Sequence, residues 1–246
     1  MKKVDVAYSL SDYVIWVKKM PYDIAVTYYR GQPDDYDLLP RIFRYSKSKC
    51  KDIKNLENDM LKEFRIKARA FLDYEPKNNL EWLAIAQHYG LKTRLLDWTE
   101  NALAALWFCV REENNNNKNT EFGVVWSLRP IKLSSYYVDD ENDFKNPFKI
   151  DSTKIYKPSY ISKRIIAQSG VFTLHNWEEV DNKPNPINRN KDYKTFLKSI
   201  YIPKNCFGKI KKELKEYGIH KVTLFPGLDG LCETMNEFYT SSLDNL

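Results

Sequence analysis

The run ALAALWFCV at residues 102–110 constrains this chain more than any other stretch. It is core material, and a helix made from it has to be buried. Directly ahead of it stand Thr93, Arg94, Asp97 and Thr99. A polar cluster at a helix entrance has two readings. It caps the helix, or it forms one wall of a site, because the unpaired N–H groups of a helix start favour phosphate and other anions. Asp97 with Glu100 fits a relative of the capping box, and Thr99 is the other candidate cap. Arg94 gains nothing from the helix dipole at that end, so it is expected to face a cleft or to pair with Asp97.

The chain has 246 residues, 43% of them hydrophobic, enough for a substantial core. Aromatic residues reach 14%, whereas Gly (8) and Pro (11) are scarce, which argues against a disordered or fibrous chain. A formal charge of +6 permits contact with nucleic acid or anionic ligands without demanding it. The cysteines at 50, 109, 206 and 232 have neither CxxC pairing nor regular spacing. They read as free thiols, with no metal site, in a reducing compartment. Neither a signal-peptide pattern nor an apolar stretch of membrane-spanning length is present, so a cytoplasmic protein with no membrane partner is expected.

Periodicity places a strand over 24–31, amphipathic helices over 56–72 and 80–90, and a helix from Glu100 to about Val110. Gly90 is the left-handed stop of the second helix. Strands follow at 123–128, at 164–175 with an interruption at Ser169 and Gly170, at 200–203 and at 222–226. Helices are expected at 209–218 and 228–238, and the Asn-rich stretch after Val110 reads as a loop. Residues 130–160 and 176–195 read as loops or insertions, and no linker divides the chain, so residues 1–246 form one domain.

Arg30 in YYRGQ ends a strand, where a guanidinium can fork onto a phosphate or ribose oxygen. Gly31 allows a backbone or a ligand to approach closely. The plainer alternative pairs Arg30 with Asp34, Asp35 or Asp37. His88 lies in the last turn of its helix, a favourable place for a structural imidazole. Gln168, in an apolar strand, needs a partner for its amide, either backbone or ligand. Phosphate-loop, zinc-protease, serine-hydrolase and dinucleotide-binding glycine motifs are all absent from the sequence.

YYRGQ, QHYGLKTRLLDWTENALAALWF, RIIAQSGVFTLH and the IYIP…ELKEYGI…LFPGLDGL tail together resemble the FRG domain family, over about residues 24–232. Tyr29 stands where the Phe-Arg-Gly motif of that family has Phe. The order of elements is also similar to the ADP-ribosyltransferase fold, with its [YF]RG strand, its STS strand leading into a helix, and its ExE strand. That resemblance implies an α+β domain with a split β-sheet and flanking helices. It implies NAD as substrate, with ADP-ribose passed to a protein, to nucleic acid or to water, and a role as a toxin or in phage conflict. Arg30 then clamps the diphosphate or ribose beside Gly31. Asp97 and Thr99 fix the nicotinamide side or the ribose, and Trp98 packs or stacks. Gln168 orients the ribose where a catalytic Glu is usual; it can hydrogen-bond but is no base. Arg94 adds a second positive charge or holds Asp97. The alternatives are a non-catalytic module binding a nucleotide or a partner in the same cleft, and a basic nucleic-acid-binding protein.

Overall fold

Seven strands meet in one open sheet, and its two central strands carry the residues singled out above. A computed structural model describes residues 4–21, 25–44, 53–111, 121–130, 136–138, 141–158, 163–177, 179–180 and 183–243. Cys50 and most of the Asn-rich stretch after Val110 lie outside the described residues.

The first half holds β1 (Asp5–Val6), α1 (Leu10–Lys18), β2 (Tyr28–Gln32), α2 (Ile53–Ala68), α3 (Asn79–His88), β3 (Leu95–Thr99) and α4 (Ala102–Val110). Then come β4 (Phe122–Leu128), α5 (Glu141–Lys145), β5 (Lys154–Tyr156), α6 (Lys163–Ala167) and β6 (Gly170–Leu174). The last part holds β7 (Glu179–Val180), β8 (Lys183–Pro184), α7 (Lys191–Lys194), β9 (Leu197–Pro203), α8 (Phe207–Glu216), α9 (Lys221–Leu224) and α10 (Leu228–Leu243). The sheet order is β1-β9-β4-β2-β3-β6-β5, with β1 parallel to β9 and the other neighbours antiparallel. β7 and β8 form a separate hairpin. The architecture is α+β.

The apolar run is α4, and Gly31 explains how it is seated. A Cβ at position 31 would lie 1.8 Å from the Ala105 carbonyl oxygen and 2.7 Å from the Cys109 nitrogen. The backbone of α4 therefore rests directly on β2, and the close approach foreseen at Gly31 is made by this helix. Ala104, Ala105, Leu106 and Cys109 are fully buried, in one core with Tyr13 and Trp16 of α1 and Ile210 and Leu214 of α8. A second core joins Trp82 and Leu83 of α3 to Leu95 and Phe172 of the sheet.

Four expectations are corrected. The cap of α4 is Asn101, whose side chain accepts from the Leu103 and Ala104 N–H groups, not Asp97 or Thr99. LLDWT is instead strand β3, paired along its whole length with β6. Residues 163–167 coil into α6 before the chain turns at Ser169, φ 45°, into β6. Residues 221–224 form α9, because the Thr223 hydroxyl donates to the Gly218 and His220 carbonyls and accepts from the His220 N–H, closing a turn. The two segments expected as loops also contain structure. β5 in the first adds an outer strand to β6, and the second holds the hairpin and α7.

Candidate functional site

A cleft of about 490 Å³ opens between β2, β3, the C-terminal end of α3 and the turn after α6. That volume falls within the roughly 300–1,000 Å³ of small-molecule sites. Its floor comes from the YRGQ and LLDWT strands, and its rim from Arg41 and Arg44, Gln87 and His88, Phe108 and Arg111, and Arg164 and Gln168.

At its centre, the Arg30 Nη1 donates to the Asp97 carbonyl at 2.7 Å and lies 3.7 Å from the Asp97 carboxylate. The Arg30 Nε donates to Gln32 Oε1 at 3.2 Å, and Gln32 in turn donates to the Tyr36 carbonyl at 2.8 Å. On the other side, Gln87 donates to Asp97 Oδ1 at 2.9 Å, and the Thr93 hydroxyl donates to Gln87. A relay of amides thus fixes the Arg30–Asp97 pair from both ends. The Arg30 side chain is 17% exposed and that of Asp97 63%, so the carboxylate stands out into the cleft.

The plainer pairing of Arg30 with the neighbouring aspartates does not occur. Asp34 is taken by Lys204 and Tyr36, Asp35 by Tyr201, and Asp37 by Asn188 and Arg189.

The cleft is rich in positive charge. Five arginines line it, Arg30, Arg41, Arg44, Arg111 and Arg164, against one carboxylate among the described lining residues, Asp97. Burial pushes Arg30 down to about 10, with Arg44, Arg41 and Arg111 adding to the shift and Asp97 opposing it. Arg111 is likewise held at about 10, first by burial and then by Arg164 and Arg41. Arg44 and Arg164 are lowered by burial and by Arg41. Each of these four guanidiniums feels Asp97 as its shared counter-charge. Aromatic rings hold two of them in place: Arg164 lies 4.4 Å over Phe225, and Arg111 lies 5.2 Å over Phe108.

His88 lies on the cleft wall, where burial and then Arg164 hold its imidazole below the usual histidine value. With Arg164 it also lines a second cavity of about 540 Å³, walled by Phe71, Tyr74, Tyr89 and Phe225.

Of the residues expected at the site, Arg30, Gly31, Asp97, Trp98, Thr99 and Gln168 meet around the cleft. Trp98 reaches it from below: it is 3% exposed and its Nε1 donates to Thr173 Oγ1 at 3.0 Å, so it packs and does not stack. The Thr99 hydroxyl donates to the Gln168 carbonyl at 2.5 Å, and the Gln168 amide nitrogen donates to the Leu224 carbonyl at 3.0 Å. These bonds tie the end of β3 to the turn after α6. Arg94 does not reach the cleft, which corrects its expected place. It is fully buried, with Nε donating to Glu57 at 2.8 Å, Nη1 donating to the Pro147 carbonyl, and its guanidinium carbon over the Phe148 ring. Sequence reasoning missed Arg41, Arg44, Gln87, Arg111 and Arg164. Gln87 and Arg164 open two of the blocks quoted above, which was the one signal for them, whereas Arg41, Arg44 and Arg111 lie outside those blocks and only the fold brings them in.

Residues 25–118 match the family model of the FRG domain. The match runs from the approach to β2 to beyond α4, so it includes Arg30, Gln87 and Asp97 but not Arg164 or Gln168. No curated protein and no solved structure matches the chain. No group of metal-ligating residues and no helix long and apolar enough to cross a membrane occurs among the described residues.

Proposed function

We propose that the cleft binds NAD as an ADP-ribosyltransferase-like site and breaks the bond between nicotinamide and ribose. The observation that carries this reading is the gathering of guanidiniums around a single carboxylate. Arg30, fixed from both ends, offers a fork for the diphosphate. Asp97, held by Arg30 and Gln87 but open to the cleft, offers a negative charge to the ribose. As the C1′–N bond breaks, its electron pair leaves with nicotinamide, and the ribosyl carbon becomes cationic. A preorganised carboxylate stabilises that cation. The acceptor nucleophile then bonds to C1′ and gives up its proton to water in the open cleft. Asp97 thus takes the charged role that Gln168 cannot fill, and Gln168 keeps a positioning role through Thr99 and Leu224. The second cavity, sharing His88 and Arg164, offers room for an acceptor.

The test is free nicotinamide released from NAD by the wild type, Arg30→Ala and Asp97→Asn. Release by the wild type alone supports the enzyme. A thermal shift with NAD but no release makes the cleft a binding module, since a ligand held only by the folded state raises apparent stability. Neither shift nor release removes NAD from this site.

A further inference from the structure

The charges in the cleft do not match a diphosphate alone. Five guanidiniums face one carboxylate, which leaves a surplus of four positive charges among the described lining residues. The diphosphate of NAD brings about two negative charges. Arg41 is the member that exposes the mismatch. It is exposed on the rim, and its charge lowers Arg30, Arg44, Arg111 and Arg164 alike. All five therefore share one field, not scattered surface sites. Like charges crowded into a concave site repel until an anion of matching charge enters. The placement of Arg41 and Arg44 three residues apart on one 3-10 turn puts two guanidiniums at the same edge of the cleft.

We propose that the cleft selects a nucleotide carrying at least one phosphate beyond a diphosphate, with Arg41 and Arg44 receiving the additional group. The shared chemistry is a nucleotide of three or more phosphate charges. It is supplied either by a dinucleotide with a phosphate on its ribose, such as NADP, or by a nucleoside triphosphate. This rests on the reading of the cleft as a nucleotide site and sharpens its substrate class.

The test is titration calorimetry of the full chain with NAD, NADP, ADP and ATP, at low and at moderate salt, on the wild type and on Arg41→Ala/Arg44→Ala. One added charge-assisted contact is worth roughly ten- to a hundredfold in affinity. NADP is expected to bind tighter than NAD, or ATP tighter than ADP, by that factor, and whichever pair responds identifies the source of the third phosphate. The double variant is expected to bring the ratio close to one, and added salt to shrink it. Equal affinity within both pairs overturns the proposal and leaves the NAD reading intact. Discrimination between ATP and ADP with no binding of either dinucleotide supports the proposal and overturns the NAD reading. No binding of any of the four overturns both. A ratio that survives the double variant also overturns the proposal, because the third phosphate then rests on other residues.

Discussion

Arg94 and Arg30 flank the same strand and live by opposite rules. Arg94 is sealed in the core, matched by Glu57 and by the Pro147 carbonyl, with its guanidinium carbon 4.8 Å from the centre of the Phe148 ring. Arg30 sits at the cleft and shares one exposed carboxylate with three further cations whose shifts respond to it. A charge removed from water needs a partner of its own, because an uncompensated buried ion costs several kcal/mol. Charges at the mouth of a cleft are partly solvated and can be left in excess for a ligand to match. The difference shows which arginine belongs to the fold and which to the site.

The sharpest way to break this contrast is to remove each carboxylate. Glu57→Ala strands Arg94 in the core and is expected to cost about 3–5 kcal/mol, read by urea unfolding. Asp97→Ala, at an exposed pair, is expected to cost about 1 kcal/mol or less. Equal losses would mean that the two arginines do not differ in kind. Gly31→Ala comes next. Its methyl would drive into the Ala105 carbonyl, and overpacking of this sort costs about 1–3 kcal/mol or more. It should also weaken whatever ligand Arg30 holds, whereas a loss of stability with unchanged ligand affinity would separate the helix from the site.

The finest test of the contrast is a titration. His175 is buried, its Nε2 is 2.9 Å from the Thr173 hydroxyl, and its backbone N–H donates to the Arg94 carbonyl. Burial lowers its pKa from 6.5 to about 3, with Arg30 and then Arg94 adding to the shift. Between those values the unfolded chain binds a proton that the native chain does not. Stability from this group is therefore complete above about 6.5 and falls as the pH drops towards 3. Denaturant titrations across that window should show the slope, and Arg30→Ala should move its acid end slightly upward. A slope unchanged by the loss of Arg30 would show that the cleft's field stops short of the core.

Much of this fold was legible from periodicity, and the failures have physical causes. The strand ending at YRGQ, the amphipathic α2 and α8, and the Gly90 stop, whose φ is 92°, all follow from local pattern. LLDWT was mistaken for a helix entrance because four of its five residues are buried between neighbouring layers, which erases the alternation of a half-exposed strand. VTLFP has β-forming residues, yet one hydroxyl closing a turn outweighed them. Arg30 and Asp97 were readable as a pair of interest because each lies in a distinctive block. Arg164 opens a distinctive block too, RIIAQSGVFTLH, but nothing in that block points its guanidinium at this cleft. Arg41, Arg44 and Arg111 lie outside those blocks, and long-range folding alone assembles the four.

The contact at Gly31 has one more implication, for which sequences can occupy this fold. A residue with nothing within 4 Å of its absent side chain, such as Gly208, is free to drift through substitution. Position 31 has no such freedom, and any lineage that keeps α4 seated on β2 must keep a glycine there. In a saturating library selected only for folding, position 31 should be purged of every alternative while position 208 fills with them. The Arg-Gly pair then joins two separate histories: the glycine is retained by packing, and the arginine is free to change with whatever the cleft is asked to hold.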